Sequence, residues 1–204
     1  NHSPMANYWL HSGHLTVNKE KMSKSLDNFF LVRDIIKEYS VHILRFYLLN
    51  GHYRSPIDFS DTNLQESKSA YRRLEGTYIR LVESDSQGSS KPSELLEAIV
   101  VCRENFVSAM NDDFNTREGI AALFQLARIS NNYVLSELDS GLIKKVIDVF
   151  EIYGHRVLGL FSIESVDKLL ESKIEDLISA RVKARESRDW SKSDSIRDTL
   201  KSMG

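Results

Sequence analysis

Lys21-Met22-Ser23-Lys24-Ser25 gathers two ammonium groups and two hydroxyls into one short polar stretch. In a loop, such a set can wrap a polyphosphate. The lysines neutralise charge that moves during reaction, while hydroxyls and backbone N–H groups hold position. Lys/Ser runs are also common in solvated loops that bind nothing, and composition alone favours that plainer reading. The order of the five residues is what sets this stretch apart.

Whatever the loop does, its flanks must hold it. Tyr8-Trp9-Leu10 and His14-Leu15-Thr16-Val17 read as extended apolar pieces with nothing nearby to pair with. An unpaired edge is therefore expected, with residues 1–25 either mobile or paired with a second copy. From Val32 the pattern turns helical. Val32 to Tyr39 is a short amphipathic helix, and Ser40 caps a second from Val41 to Asn50, ended by Gly51. His52 to Asp58, with Pro56, reads as a loop. Leu64, Ser67, Tyr71, Leu74, Tyr78 and Leu81 mark one face of a long helix starting near Ser60 or Asp61. Ser84 to Pro92 reads as a linker. Ser93 starts a helix carried by Ile99, Phe106 and Met110; a break at Asp112-Asp113-Phe114-Asn115 leads into another, lined by Ile120, Leu123, Phe124, Ala127 and Val134. Asp139 to Leu158 forms one more helix, and two others are expected around Ile174–Ser187 and Ser191–Met203.

Length and composition narrow the class. The chain has 204 residues, 41% hydrophobic and 27% charged, which suits one or two helix-rich globular domains. A formal charge of −2 excludes a protein that coats nucleic acid indiscriminately, leaving local basic patches as the only route to such a partner. The single cysteine rules out an intramolecular disulfide framework and suits a reducing, cytoplasmic compartment. No long apolar run suggests a membrane span. The first residue is Asn and the opening resembles no domain start, so the sequence is expected to be a piece of a longer chain.

Other candidate chemistry is thin. Cys102 falls on the apolar side of its helix beside Ile99 and Phe106, and no histidine has ligand spacing with it, so no metal site is expected in this chain. Asp112 and Asp113 precede a helix, where carboxylates cap the positive end. Ser191-Lys192-Ser193-Asp194 is read the same way, as a helix cap. Arg181, Lys183, Arg185 and Arg188 form either a solvated face or a phosphate-contacting stripe on RNA; both readings stay open.

The K-M-S-K-S order resembles the ATP-handling signature loop of class I aminoacyl-tRNA synthetases. The likeness extends to Asn7-Tyr8-Trp9-Leu10-His11-Ser12-Gly13, Asn28-Phe29-Phe30-Leu31-Val32-Arg33-Asp34, Gly51-His52-Tyr53-Arg54-Ser55 and Met110-Asn111-Asp112-Asp113-Phe114-Asn115-Thr116. Together with Ala184-Arg185 and Asp189-Trp190, these resemble bacterial cysteinyl-tRNA synthetase almost end to end. His11-Ser12-Gly13-His14 formally matches H-x-G-H, the second signature of the class. Strand-prone residues follow it and the lysine loop comes almost at once, so we read it as a chance match framing a turn.

The resemblance implies a mainly α chain. Residues 1–60 would be a remnant of the class I catalytic core with the K-M-S-K-S loop, 61–162 a DALR-type helical bundle, and 163–204 the start of C-terminal anticodon-binding helices. It implies Lys24, and secondarily Lys21, as catalytic, with Lys21, Met22, Ser23, Lys24 and Ser25 on the ATP phosphates. It further implies ATP with Mg2+, cysteine and tRNA(Cys) as partners, no membrane, and a monomeric parent whose zinc ligands lie outside this chain. Such a piece is expected to be inactive alone. Asp27 stands where the family usually has glycine, and only a modest change in loop flexibility is expected from it. Two alternatives remain: a cysteine-activating amino-sugar ligase of the same superfamily, and a non-catalytic tRNA-binding helical module.

Overall fold

The computed structural model describes residues 5–22, 30–162, 177–185 and 189–202. The chain is mainly helical and divides into two units, Asn1–Phe161 and Ser162–Gly204.

The first unit opens with a small sheet. β1 (Leu15–Val17) lies between β2 (Glu20–Lys21) and β3 (Ile57–Phe59). β1 runs antiparallel to β2, pairing Thr16 with Lys21, and parallel to β3, pairing Leu15 with Ile57 and Val17 with Phe59. β1 is therefore paired on both sides, and the expectation that this segment has no sheet to join is not met. Its parallel partner is the end of the stretch read as a loop, where the alternation Ile57-Asp58-Phe59 was hidden by its brevity and by Pro56.

Helices supply the rest. α1 (Val32–Glu38) and α2 (Val41–Leu49) follow closely, and the Ser40 hydroxyl accepts from the Ile43 N–H at the start of α2. α3 (Asp61–Val82) is capped by Ser60, whose hydroxyl accepts from the Asn63 N–H. Its expected apolar stripe, Leu64, Ser67, Tyr71, Leu74, Tyr78 and Leu81, is buried throughout. α4 (Ser93–Asn111) and α5 (Thr116–Ser130) pack along each other as a helical hairpin. α6 (Ser140–Val149) continues without a break into a π-helix, Phe150–Val157. Leu74, Leu95, Leu123, Leu126, Val146 and Phe150 fill the shared core, each 1% exposed or less. Phe46 of α2 joins that core edge-on to Tyr71 of α3 and Phe124 of α5, with ring centroids 5.9 and 6.1 Å away. Arg45 and the Tyr71 hydroxyl then donate to the carbonyls of Gly159 and Leu160, each at 2.9 Å, which seats the end of this unit on α2 and α3.

Further expectations need correction. The stretch from Ser84 to Pro92 is pinned rather than free: Gly88 and Ser90 bridge to Asp139 and Leu138, and the Ser86 hydroxyl donates to the Leu138 carbonyl. Val134 lies beyond α5 and is exposed. The cap of α5 is Asn115, whose side chain accepts from the Glu118 N–H at 3.3 Å; Asp113 does something else.

The second unit contains α7 (177–185) and α8 (Trp190–Ser202). Asp189, rather than Ser191, caps α8 by accepting from the Lys192 N–H at 3.1 Å. Arg197 pairs with Asp194 and Asp198 on the same helix. Of the basic stripe, Lys183 and Arg185 are exposed and Arg181 is half-buried, while Arg188 lies outside the described residues.

Candidate functional site

β1 and β2 are joined by only two residues, Asn18 and Lys19, with φ of 49° and 68°. Positive φ at both central positions is the type I′ arrangement, whose twist matches a two-stranded ribbon. Asn tolerates the left-handed region; lysine does so less readily, so the turn needs a restraint.

Asp58, the middle residue of β3, supplies it. Its Oδ1 accepts from the Lys19 backbone N–H at 2.6 Å and from the Thr16 hydroxyl at 2.7 Å. The Phe59 carbonyl accepts from the Asn18 N–H at 3.3 Å, completing the grip. The Lys19 N–H, and after it the Thr16 hydroxyl, hold the Asp58 carboxyl below its ordinary value. Asp58 is itself fixed from behind, since its carbonyl accepts from the Tyr47 hydroxyl at 2.7 Å and the Asn63 amide at 2.9 Å. Burial, with the Asp58 charge second, pushes the Tyr47 phenol up to about 12, so it remains a donor across the physiological range.

This hairpin carries the start of the lysine stretch. Lys21 ends β2 opposite Thr16 and is exposed, and Met22 follows half-buried. Ser23, Lys24 and Ser25, with Asp27, lie outside the described residues. The chain is described again from Phe30, whose ring packs on Phe59 with centroids 4.8 Å apart. Asp58 and Phe59, adjacent on one strand, thus hold both stems of the stretch.

The segment His11-Ser12-Gly13-His14 runs into β1 and lies against the turn at residues 52–55. The Gly13 N–H donates to the Tyr53 carbonyl at 2.7 Å, and the Ile57 N–H donates to the His14 carbonyl at 3.0 Å. A Cβ at Gly13 would collide with the Ser55 backbone, so only glycine permits this approach. The same turn reaches α4–α5: the Tyr53 hydroxyl donates to Asp113 Oδ1 at 2.7 Å, and Arg54 Nε lies 2.9 Å from Asp113 Oδ2. The hydrogen bond to Tyr53, and then the Asp113 charge, raise the Arg54 guanidinium further above its ordinary value.

Sequence reasoning missed Asp58 and misassigned Asp113. The usable signal for Asp58 was a carboxylate between two apolar residues just after a proline. Elsewhere, Cys102 is buried as expected, and burial pushes its thiol up to about 12, which suits a packed side chain and not a nucleophile. Among the described residues no three His, Cys, Asp or Glu side chains gather in a metal-holding group, so the implied zinc finds no fitting donor set there. Among them, too, no helix is long and apolar enough to cross a membrane.

Residues 1–69 match the family model for the class I (C) tRNA synthetase catalytic domain, and residues 105–162 match the DALR domain. A cysteine–tRNA ligase of Moorella thermoacetica is 44% identical over 98% of this chain and 45% of its own length. Another, from Bacillus licheniformis, is 45% identical over 98% of the chain and 43% of its own length. The chain thus spans less than half the length of these relatives. Among solved structures, the LeuRS of Agrobacterium radiobacter, in a ternary complex with tRNA and LeuAMS, is similar with a TM-score of 0.54 and 19% identity, over 70% of this chain and 20% of that one. That likeness concerns the fold alone.

Proposed function

We propose that the chain works in a cysteine–tRNA ligase of the cysteinyl-tRNA synthetase family, as the part that handles ATP phosphates and docks tRNA(Cys). Residues 1–60 then form the end of the catalytic core, 61–162 the helical bundle and 163–204 the start of the anticodon-binding region. The observation that carries the reading is the braced hairpin: a two-residue turn locked by Asp58 delivers Lys21 at the head of K-M-S-K-S.

The reaction has two steps. A carboxylate oxygen of cysteine attacks the α-phosphorus of ATP, which enters as its magnesium complex, and the bond to pyrophosphate breaks. Lys24, and secondarily Lys21, stabilises the negative charge gathering on the departing phosphates. Ser23, Ser25 and the backbone at Met22 hold those phosphates in place. The 3′-terminal hydroxyl of the tRNA then attacks the cysteinyl carbonyl carbon and AMP leaves. Likeness to cysteine–tRNA ligases over nearly the whole chain supports this reading over an amino-sugar ligase. A cytoplasmic enzyme fits the single buried cysteine.

The test is cysteine-dependent ATP–pyrophosphate exchange by the full-length protein, followed by charging of a tRNA(Cys) transcript. Exchange and charging are expected together. Exchange without charging, with an amino-sugar consumed instead, would overturn the assignment.

A further inference from the structure

Among the described residues, Asp58 is the side chain that the proposed chemistry leaves unused and the geometry makes central. A carboxylate near a phosphate-handling lysine stretch is costly electrostatically unless it has a positional task. Here the Lys19 N–H and the Thr16 hydroxyl, which donate to its Oδ1, belong to one hairpin, while the donors to its carbonyl belong to the helices behind it. A rigid path therefore runs from Tyr47 on α2 and Asn63 on α3, through Asp58, to the turn at Lys19.

The path explains a local oddity. Asn18 and Lys19 both sit at positive φ without a glycine, a turn that a lysine does not favour unaided. The charge-assisted bond from the Lys19 N–H offsets that cost, and the Thr16 hydroxyl fixes the adjacent strand. Thr16 is also the cross-strand partner of Lys21. Slipping the two-residue turn by one position would send Lys21 to the opposite face of the ribbon.

We propose that Asp58 is a positioning residue for phosphate handling: its carboxylate locks the Asn18-Lys19 turn, and through that turn sets the register and direction of Lys21. This rests on the reading of the lysine stretch given above. Asp58 touches no substrate in this scheme; it acts through the hairpin.

The experiment is single-turnover cysteinyl-adenylate formation by the full-length protein, over a range of ATP concentrations, with thermal unfolding recorded on the same samples. Asp58→Ala should lower the saturated rate roughly ten- to a hundredfold, the cost of misplacing a catalytic group by about an ångström. The ATP concentration for half-saturation should move less than about threefold, because the interaction at stake is strongest in the transition state. Asp58→Asn, which keeps an acceptor oxygen, should recover most of the rate. Thr16→Val removes one donor without touching the backbone and should fall between; it decides the matter if Asp58→Ala unfolds. Lys24→Ala runs alongside. If Lys24→Ala is inert, the nucleotide-handling reading fails first. If Lys24→Ala is slow while Asp58→Ala and Thr16→Val keep the wild-type saturated rate, Asp58 has no positioning role. A fall in the unfolding temperature of Thr16→Val with no change in saturated rate would likewise overturn the proposal.

Discussion

Arg54 and Asp113, 59 positions apart, meet in a two-pronged ion pair: Nε to Oδ2 at 2.9 Å and Nη2 to Oδ1 at 3.1 Å. The Tyr53 hydroxyl shares Oδ1, and the His52 ring stands 3.7 Å from Oδ2. The corner that presents Asp113 is strained, with Asp113 and Phe114 both near φ of 55°. Two consecutive non-glycine residues in the left-handed region persist only where the surroundings over-determine them. Thr116 adds to the restraint by donating from its hydroxyl to the Leu49 carbonyl at 2.6 Å. The catalytic-domain match and the DALR match are joined at this corner.

The joint should behave as one network. Tyr53→Phe removes a hydrogen bond to a charged acceptor and should cost about 1.5–3 kcal/mol of stability. Asp113→Asn should destabilise as well, and the double variant should lose less than the sum of the singles. Chemical denaturation of the four proteins measures this. Additive losses would mean that the residues are merely adjacent.

Asp58 should titrate low. Its folded value is depressed below the ordinary 3.8, so the stabilisation it gives is full above that pH and is lost as pH falls through the lower folded value. The Lys19 amide resonance, which senses the carboxylate directly, should therefore shift with a midpoint below 3.8. A midpoint at or above that value would show that the bond is not made in solution.

Phe46 ties three helices, and Phe46→Ala should cost about 3–5 kcal/mol, the range for deleting a buried aromatic ring. Urea unfolding gives the number. A loss under about 1 kcal/mol would contradict the packing described.

Cys102 should be silent towards thiol reagents at neutral pH in the native protein. It is 3% exposed, and its thiol is raised to about 12. One equivalent of label should enter per chain on unfolding, because the chain has one cysteine. Rapid labelling of the folded protein would show that α4 and α5 do not close over it.

The helices were legible because burial repeats every three or four residues over long stretches, as along α3, and because Ser40 and Ser60 sit where caps belong. The sheet was not. Its strands are two or three residues long, and Thr16 of β1 meets Asp58 of β3 across 42 positions, so no local pattern announces the pairing. Asp113 was misread for a related reason: a carboxylate before a helix usually caps it, and only tertiary structure brings Tyr53 and Arg54 within reach. The lysine stretch stood out as a pentapeptide. The carboxylate of Asp58, between two apolar residues after a proline, gains its meaning only from the fold, which sets it against Thr16 and Lys19.

The most direct test of the proposed chemistry is single-turnover adenylate formation by full-length Lys24→Ala at saturating ATP. Losing one preorganised charge on the departing pyrophosphate should cost about 3 kcal/mol, or roughly a hundredfold in rate. Lys24→Arg should rescue only in part, since a planar fork replaces a compact ammonium. The apparent ATP dissociation constant should change little. A raised dissociation constant with an intact saturated rate would make Lys24 a binding residue and contradict the mechanism.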